Sequence, residues 1–341
     1  MVGARADGQC LPSAQVETHP DKPVRIIVRY SPALLPSLQP VFITLDAQPG
    51  LGTFEKHTMS SIIDIHPHIV SPDTKKYPLD PLGGTQSTWS SERPTTYQML
   101  LDAMDEAGVA KAAIVHSSTA YGYDNSYVAD AVAAVPQRFT GVYSIDVLAP
   151  DAVKTFDYWL GRGCAGMRLF TTGSTLPDQA KWFADPKTYP FWEHAAAKNI
   201  PVCMQMKQEG TPLLRQVMDR FPKVTMILDH LSRVPFEDGP PYVQAEDFLA
   251  LATYKQLHLK VTPINVSPKS WGKGRPETFF GKVIERFGAD RIAWGSNFPN
   301  SVGTLKEILT AAQKAFSFAK GSDQDWIFGK TAQMLYPVLK D

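Results

Sequence analysis

From Ile62 onward the chain repeats one pattern: a short apolar, β-branched run, then a longer segment with apolar residues at i, i+3, i+4 and i+7. The runs are "IIDIHPH", "KAAIVHSS", "FTGVYSID", "AGMRLFT", "IPVCMQM", "VTMILDHL", "LHLKVTPI" and "RIAWGSNF". Among the intervening segments "TTYQMLLDAMDEAG" is the clearest helix. Thr95 or Thr96 can cap its start, Met99, Leu100 and Ala103 are expected to face inward, and Gly108 ends it. "TPLLRQVMDRFP" and "TFFGKVIERFG" repeat that design. Strands alternating with helices point to a parallel sheet with helical crossovers. Eight such units over about 280 residues are what a closed barrel needs. An open doubly wound sheet would carry a Gly-rich phosphate turn after its first strand, where this chain has "HPHIVSPDTKKYP". The expected fold is therefore α/β, a (β/α)8 TIM barrel with an N-terminal extension.

The extension, residues 1–58, reads differently. It holds Pro12, Pro20, Pro23, Pro32, Pro36, Pro40 and Pro49, and only "VRIIVRYS" and "PVFITLDA" look like strands. A small arm or a poorly ordered leader is expected there, with the barrel over 59–341. Lys plus Arg equals Asp plus Glu at 34 each, so no net field recruits nucleic acid or an anionic membrane. Cys10, Cys164 and Cys203 have no CxxC spacing, which argues for reduced thiols rather than a disulfide framework. No apolar stretch approaches the roughly 20 residues of a membrane span, and no continuous apolar region follows Arg5. A cytoplasmic protein is expected.

In such a barrel the chemistry sits at the C-terminal ends of the strands. If "SIIDIHPHIV" is a continuous strand, Asp64, His66 and His68 share one face, opposite Ile63, Ile65 and Pro67. Two imidazoles in one barrel mouth are costly to bury without a metal, a substrate or hydrogen bonds. The other strand ends offer His116 and Ser117, Asp146, Arg168, Gln205 and Lys207, then His230 with Arg233, and finally Asn297. Arg168 lies among apolar neighbours and needs an anion, from either the protein or a substrate. Asp64, lower in the barrel, is expected to orient a histidine. His57, His194 and His258 lie outside the strand ends. The loops "TTGSTLPDQAKWFADPK", with Trp182 and Phe183, and "VSPKSWGKGRPE", with Trp271, Lys273 and Arg275, are the candidates to frame a pocket.

"DIHPH", "LDHLSR" and "RIAWGSNFP" together resemble the amidohydrolase superfamily, in its amidohydrolase-2 branch, from about Ile62 to Pro337. "HSSTAYGYDN", "GVYSID" and "GMRLF" look more specifically like the group of 2-pyrone-4,6-dicarboxylate lactonase and sulfomuconolactone hydrolase. The resemblance implies that His66, His68 and His230 either ligate a divalent metal or polarise the substrate carbonyl. It implies that Arg168 and Arg233 grip a substrate carboxylate, and that Ser117 with Tyr121 lies in a substrate-touching loop. Where that family reads GSDxP or GTDWP on strand eight, this chain has Asn297, and a neutral amide cannot take a proton from water.

The expected activity is hydrolysis of a lactone or similar cyclic ester on a small carboxylate-bearing substrate. The alternatives are a metal-dependent decarboxylase of an aromatic or unsaturated acid, and a non-catalytic barrel that binds small acids. His66, His68, His230 and Asn297 are the catalytic candidates, and the missing base is expected to be replaced by a histidine, His116 being one candidate, or by a metal-bound hydroxide. Arg168, Arg233, Ser117, Tyr121, His116 and Gln205 are the substrate-binding candidates. No obligatory cofactor is expected, while one Zn²⁺ on His66, His68 and His230 would be chemically adequate. The expected partner is a small anionic substrate, with no nucleic acid and no membrane; a homo-oligomer is left open.

Overall fold

A computed structural model of the chain describes residues 61–267, 269 and 271–340, together with three strand segments nearer the N-terminus. The chain divides into two compact units, Met1–Thr58 and Met59–Asp341. In the first, β1 (Ser13–His19), β2 (Lys22–Arg29) and β3 (Val41–Leu45) form an antiparallel sheet in the order β1-β2-β3. β2 and β3 run through "VRIIVRYS" and "PVFITLDA"; β1 has no counterpart in the sequence reading. The other residues of 1–58, His57 and Cys10 among them, lie outside the described residues.

The second unit is the barrel. Its strands are β4 (Ile63–Asp64), β5 (Lys111–Val115), β6 (Phe139–Tyr143) and β7 (Cys164–Phe170). They continue as β8 (Val202–Gln205), β9 (Met226–Leu228), β10 (Leu257–Val261) and β11 (Ile292–Trp294). Each pairs in parallel with the next, in chain order. Across the seam between last and first, Ile65 N donates to Trp294 O at 3.3 Å. This is the expected (β/α)8 architecture.

Period-two alternation sorts the side chains into two layers. Met167, Leu169, Val202, Met204, Leu257, Leu259 and Val261 point outward and pack under the helices. Ile63, Ile65, Ala113, Val115, Val142, Cys203, Ile227 and Ala293 form a separate cluster inside, plugged by Leu335, Tyr336 and Leu339 from the C-terminal helices. Helix Tyr97–Ala107 starts where Thr96 accepts from Met99 N and stops at Gly108, whose φ is +74°. It buries Leu100 and Met104, four residues apart and so on one face, whereas Met99 is 52% exposed. The inward assignment of Met99 was therefore one position out of phase. Among the described residues no helix is long and apolar enough to cross a membrane.

Candidate active site

The first strand is shorter than its apolar run suggests. β4 ends at Asp64, because Asp64 Oδ1 accepts from its own chain at His66 N (2.9 Å) and from Ser296 N on the last strand (2.8 Å). This i→i+2 capture diverts a backbone donor from the sheet ladder and bends the chain. Strict alternation is lost there, so Ile63 and Ile65 join the interior cluster while both following histidines reach the barrel mouth. The shared-face argument for Asp64, His66 and His68 does not hold. Asp64 does act on His66, through its backbone N–H rather than its ring. Burial pushes the Asp64 carboxyl up to about 6, against the hydrogen bonds from Ser296 and His66. Gly295 completes the fit, since a Cβ at that position would lie 2.5 Å from His66 Cβ.

Beneath the mouth lies a buried charged layer. Asp229, the residue before His230, carries two cations: Arg168 Nε at 2.9 Å from Oδ2 and Lys260 Nζ at 2.8 Å from Oδ1. Lys260 Nζ also lies 3.0 Å from His66 Nδ1 and 3.4 Å from Cys203 Sγ, so a fully buried amine is surrounded by acceptors. Arg168 Nη2 donates to Gln205 Oε1. Burial alone would raise the Asp229 carboxyl, but Lys260 and Arg168 outweigh it and hold it below the usual carboxylate range. The anion that Arg168 requires is thus a protein carboxylate, one of the two sources the sequence allowed. Neither Asp229 nor Lys260 was singled out in the sequence. The signal for Lys260 was a lysine at an inward position of "LHLKV", where a charge needs a buried partner.

Above this layer opens a cavity of about 910 Å³. His68, His116, Ser117, Arg168, Gln205, His230, Arg233 and Asn297 all line it. The rings of His68 and His230 each lie 4.9 Å from that of His66, which is fully buried behind them. His68 Nδ1 meets Val115 O at 2.8 Å and His230 Nδ1 meets Thr262 Oγ1 at 2.7 Å. Burial lowers both rings to about 3, with Arg168 adding to the effect at His68 and Asp229 opposing it at His230. Burial and Lys260 lower His66 as well, so all three are neutral imidazoles at pH 7. His116 Nε2 donates to Gly122 O at 2.9 Å, and its Nδ1 is buried without a partner.

Residues His230 to Arg233 hold φ values between +50° and +54°, a left-handed turn that L-residues adopt at a cost of about 1–2 kcal/mol each. It is pinned by Asn265 Nδ2 to His230 O (2.9 Å) and Gln208 Nε2 to Ser232 O (3.0 Å). The turn carries His230 into the cavity wall and leaves Arg233 exposed at the rim. Asn297, also left-handed at φ +51°, donates from Nδ2 to Ser301 Oγ at 3.2 Å. Tyr121 is not at the cavity; its hydroxyl accepts from Ser71 N at 2.7 Å and supports the loop after the second histidine. Asp146 is exposed and Lys207 Nζ donates to Pro177 O, both away from the cavity wall. Of the two framing loops, Ser174 and Lys269 line the cavity. Phe183 and Trp271 are instead buried in packing, Trp271 against Phe236 and Phe279.

His66, Asp229 and His230 are the described side chains whose donor atoms converge closely enough for a metal, within 4.8 Å of one another. His68 stands outside that group and Asp229 inside it. Their arrangement does not fit a divalent cation. Asp229 is already engaged by two cations, and His66 Nδ1 faces an amine. At an effective dielectric of about 20 and a separation of about 4 Å, a dication and an ammonium repel by roughly 8 kcal/mol.

Comparison with known proteins places this geometry. A family model described as an amidohydrolase matches residues 63–338. An L-fucono-1,5-lactonase of Burkholderia ambifaria is 24% identical over 127 residues, 35% of this chain and 42% of that relative, so this chain spans under half of its length. Among solved structures, a 2-pyrone-4,6-dicarboxylic acid hydrolase from Pseudomonas putida, described as putative, superposes with TM-score 0.67 at 18% identity, over 82% of this chain and 99% of that one. A probable 2-pyrone-4,6-dicarboxylic acid hydrolase from Acinetobacter baumannii with citric acid bound gives TM-score 0.63 at 19% identity, over 82% and 100%. A 2,6-dihydroxybenzoate decarboxylase from Rhizobium gives TM-score 0.59 at 17% identity, over 82% and 99%.

Proposed function

The chain belongs to the amidohydrolase family, and from that premise we propose that its barrel is a hydrolase which opens a lactone or similar cyclic ester of a small, carboxylate-bearing substrate. The observation that carries this reading is neutral imidazole beside surplus positive charge in one cavity. Asp229 cancels only one of Arg168 and Lys260, and Arg233 adds a further cation at the rim. An anionic substrate suits that field. Arg168 uses Nε and Nη2 on the protein, so its Nη1 together with Arg233 is left for the substrate carboxylate.

His68 is the proposed base. Its Nδ1–H donates to Val115 O, which leaves an unprotonated Nε2 on a residue of the cavity wall. His116, the sequence candidate for this task, also lines the cavity, with Nε2–H given to Gly122 O and Nδ1 buried without a partner. Water loses a proton to His68 as its oxygen bonds to the lactone carbonyl carbon. The resulting oxyanion collapses, the ring C–O bond breaks, and the imidazolium returns the proton to the departing alkoxide. The product is a hydroxy acid. His230 faces the developing oxyanion from the cavity wall, and Asn297 positions the water or donates to the substrate. No step passes through a metal.

Decarboxylation of an aromatic acid is the second reading, supported by the Rhizobium neighbour. A turnover screen of lactones with and without a carboxylate, run beside aromatic acids, separates the two. Ring opening of carboxylate-bearing lactones is expected, with Arg233→Ala raising KM about tenfold or more while leaving kcat nearly unchanged. Carbon dioxide release without any lactone opening would replace the proposal with the second reading. No turnover of either class would leave a small-acid binding barrel.

A further inference from the structure

We infer that Lys260 is a positioning residue that fixes the proton of His66 on Nε2, making the ring behind His68 and His230 a permanent N–H donor. Lysine nitrogen in its ammonium form has three donors and no acceptor. A 3.0 Å contact with His66 Nδ1 therefore requires that Nδ1 be the acceptor, and a neutral imidazole then carries its hydrogen on Nε2. That Nε2 is buried and has no partner among the described residues. An orphaned donor in a fully buried ring costs about 1–3 kcal/mol unless something accepts from it. The neighbouring rings cannot be read as its partners, since no hydrogen bond joins them. Their edges meet at centroid distances of 4.9 Å.

The surroundings of Lys260 bear out this single task. Its Nζ is aimed at His66 Nδ1, Asp229 Oδ1 and Cys203 Sγ, and the residue is wholly inaccessible, so it meets no substrate. It acts at one remove. The same amine stands among His66, Asp229 and His230, the groups that would otherwise gather a metal. Resting on the hydrolase reading, the donor on His66 Nε2 polarises the site from beside His68 and His230, whose rings lie 4.9 Å away and line the cavity, without touching the lactone itself. Lys260 thus supplies, through a neutral ring, the positive polarity that an open cluster of this kind would take from a cation.

Two measurements on the purified chain test this. Long-range ¹⁵N–¹H NMR of the histidine side chains reads the tautomer of His66 directly, assigned with His66→Gln. Zinc content after dialysis against ZnCl₂ and then metal-free buffer reads whether the cluster is open. The wild type is expected to show the Nε2–H tautomer and to retain no zinc that depends on His66. Lys260→Met is expected to lose that single tautomer and to retain about one zinc per chain. Should Lys260→Met fail to fold, Lys260→Met/Asp229→Asn keeps the charge balance and is expected to lose the tautomer as well. An Nδ1–H or doubly protonated His66 in the wild type, or one retained zinc that disappears in His66→Gln, overturns the inference. If no lactone is turned over but the tautomer is as stated, the hydrolase reading fails and the role of Lys260 stands. With an active enzyme, Lys260→Met is expected to lower kcat about tenfold with little change in KM, as for loss of polarity behind the residues that meet the substrate.

Discussion

A glycine and an aspartate set the position of His66, and neither lines the cavity. Asp64 holds the chain at His66 N and Ser296 N, drawing the first and last strands together where the site needs them. Gly295 lets the last strand pass within contact of His66, a spacing that no side chain permits. Gly295→Ala is expected to destabilise the fold by about 1–3 kcal/mol through overpacking. It should also displace His66 and so reduce turnover more than a surface mutant of equal stability. Chemical denaturation beside a kcat measurement checks this; an unchanged denaturation midpoint would mean that the strands part without cost. Asn297, in place of the expected acid, donates from Nδ2 to Ser301 Oγ, and as a neutral amide it cannot take a proton from water.

At the level of elements, the left-handed turn after β9 and the short helix Pro263–Val266 work as one unit. Thr262 caps the helix and its hydroxyl hydrogen-bonds with His230 Nδ1, while Asn265 Oδ1 accepts from Thr262 N and Nδ2 donates to His230 O. The strained turn persists because both its ends are held. Asn265→Ala orphans the Thr262 N–H and the His230 carbonyl, both buried, and is expected to cost about 2–4 kcal/mol. It should broaden the His230 ring resonances in NMR spectra while those of His116, which shares none of these bonds, stay sharp. Asn265→Asp, which keeps the acceptor for Thr262 N, should lose less stability than Asn265→Ala.

For the whole molecule, buried titratable groups make stability depend on pH with opposing signs. His116 is lowered to about 4 by burial, against its bond to Gly122 O. Its folded value lies below the unfolded value of about 6.5. The stability it contributes is therefore present above pH ~6.5 and is lost as pH falls toward 4, by about 3 kcal/mol. Asp64, raised to about 6, acts the other way: its contribution is full below pH ~4 and is lost as pH rises through 6. Over pH 4–6 these two nearly cancel, and His68 and His230, both lowered to about 3, tip the balance toward acid destabilisation. Denaturation midpoints from pH 4 to 7 are expected to fall with acid. His116→Asn should flatten that slope by up to about 1.4 kcal/mol per pH unit. An identical slope in that variant would show that His116 binds protons equally in the folded and unfolded states, so that burial does not lower it.

The barrel was legible in the sequence because strand and helix periodicities are local. Apolar runs of strand length recurring between amphipathic helices leave few ways to bury both faces of a parallel sheet. The ring of polar strand ends was legible for the same reason, and His68, His116, Arg168, Gln205, His230, Arg233 and Asn297 do meet at one cavity. Local pattern could not foretell where a strand stops once a side chain captures its own backbone, as at Asp64, nor which charge answers Arg168. Lys260 lies on β10 and Asp229 just after β9, and their ion pair exists because parallel pairing sets β10 beside β9, while barrel closure brings His66 onto the same amine. The sequence alone determined which groups were available at the mouth. Tertiary structure decided their protonation and their partners, because burial and long-range pairing set the free energy of a charge, and neither is written into its neighbours along the chain.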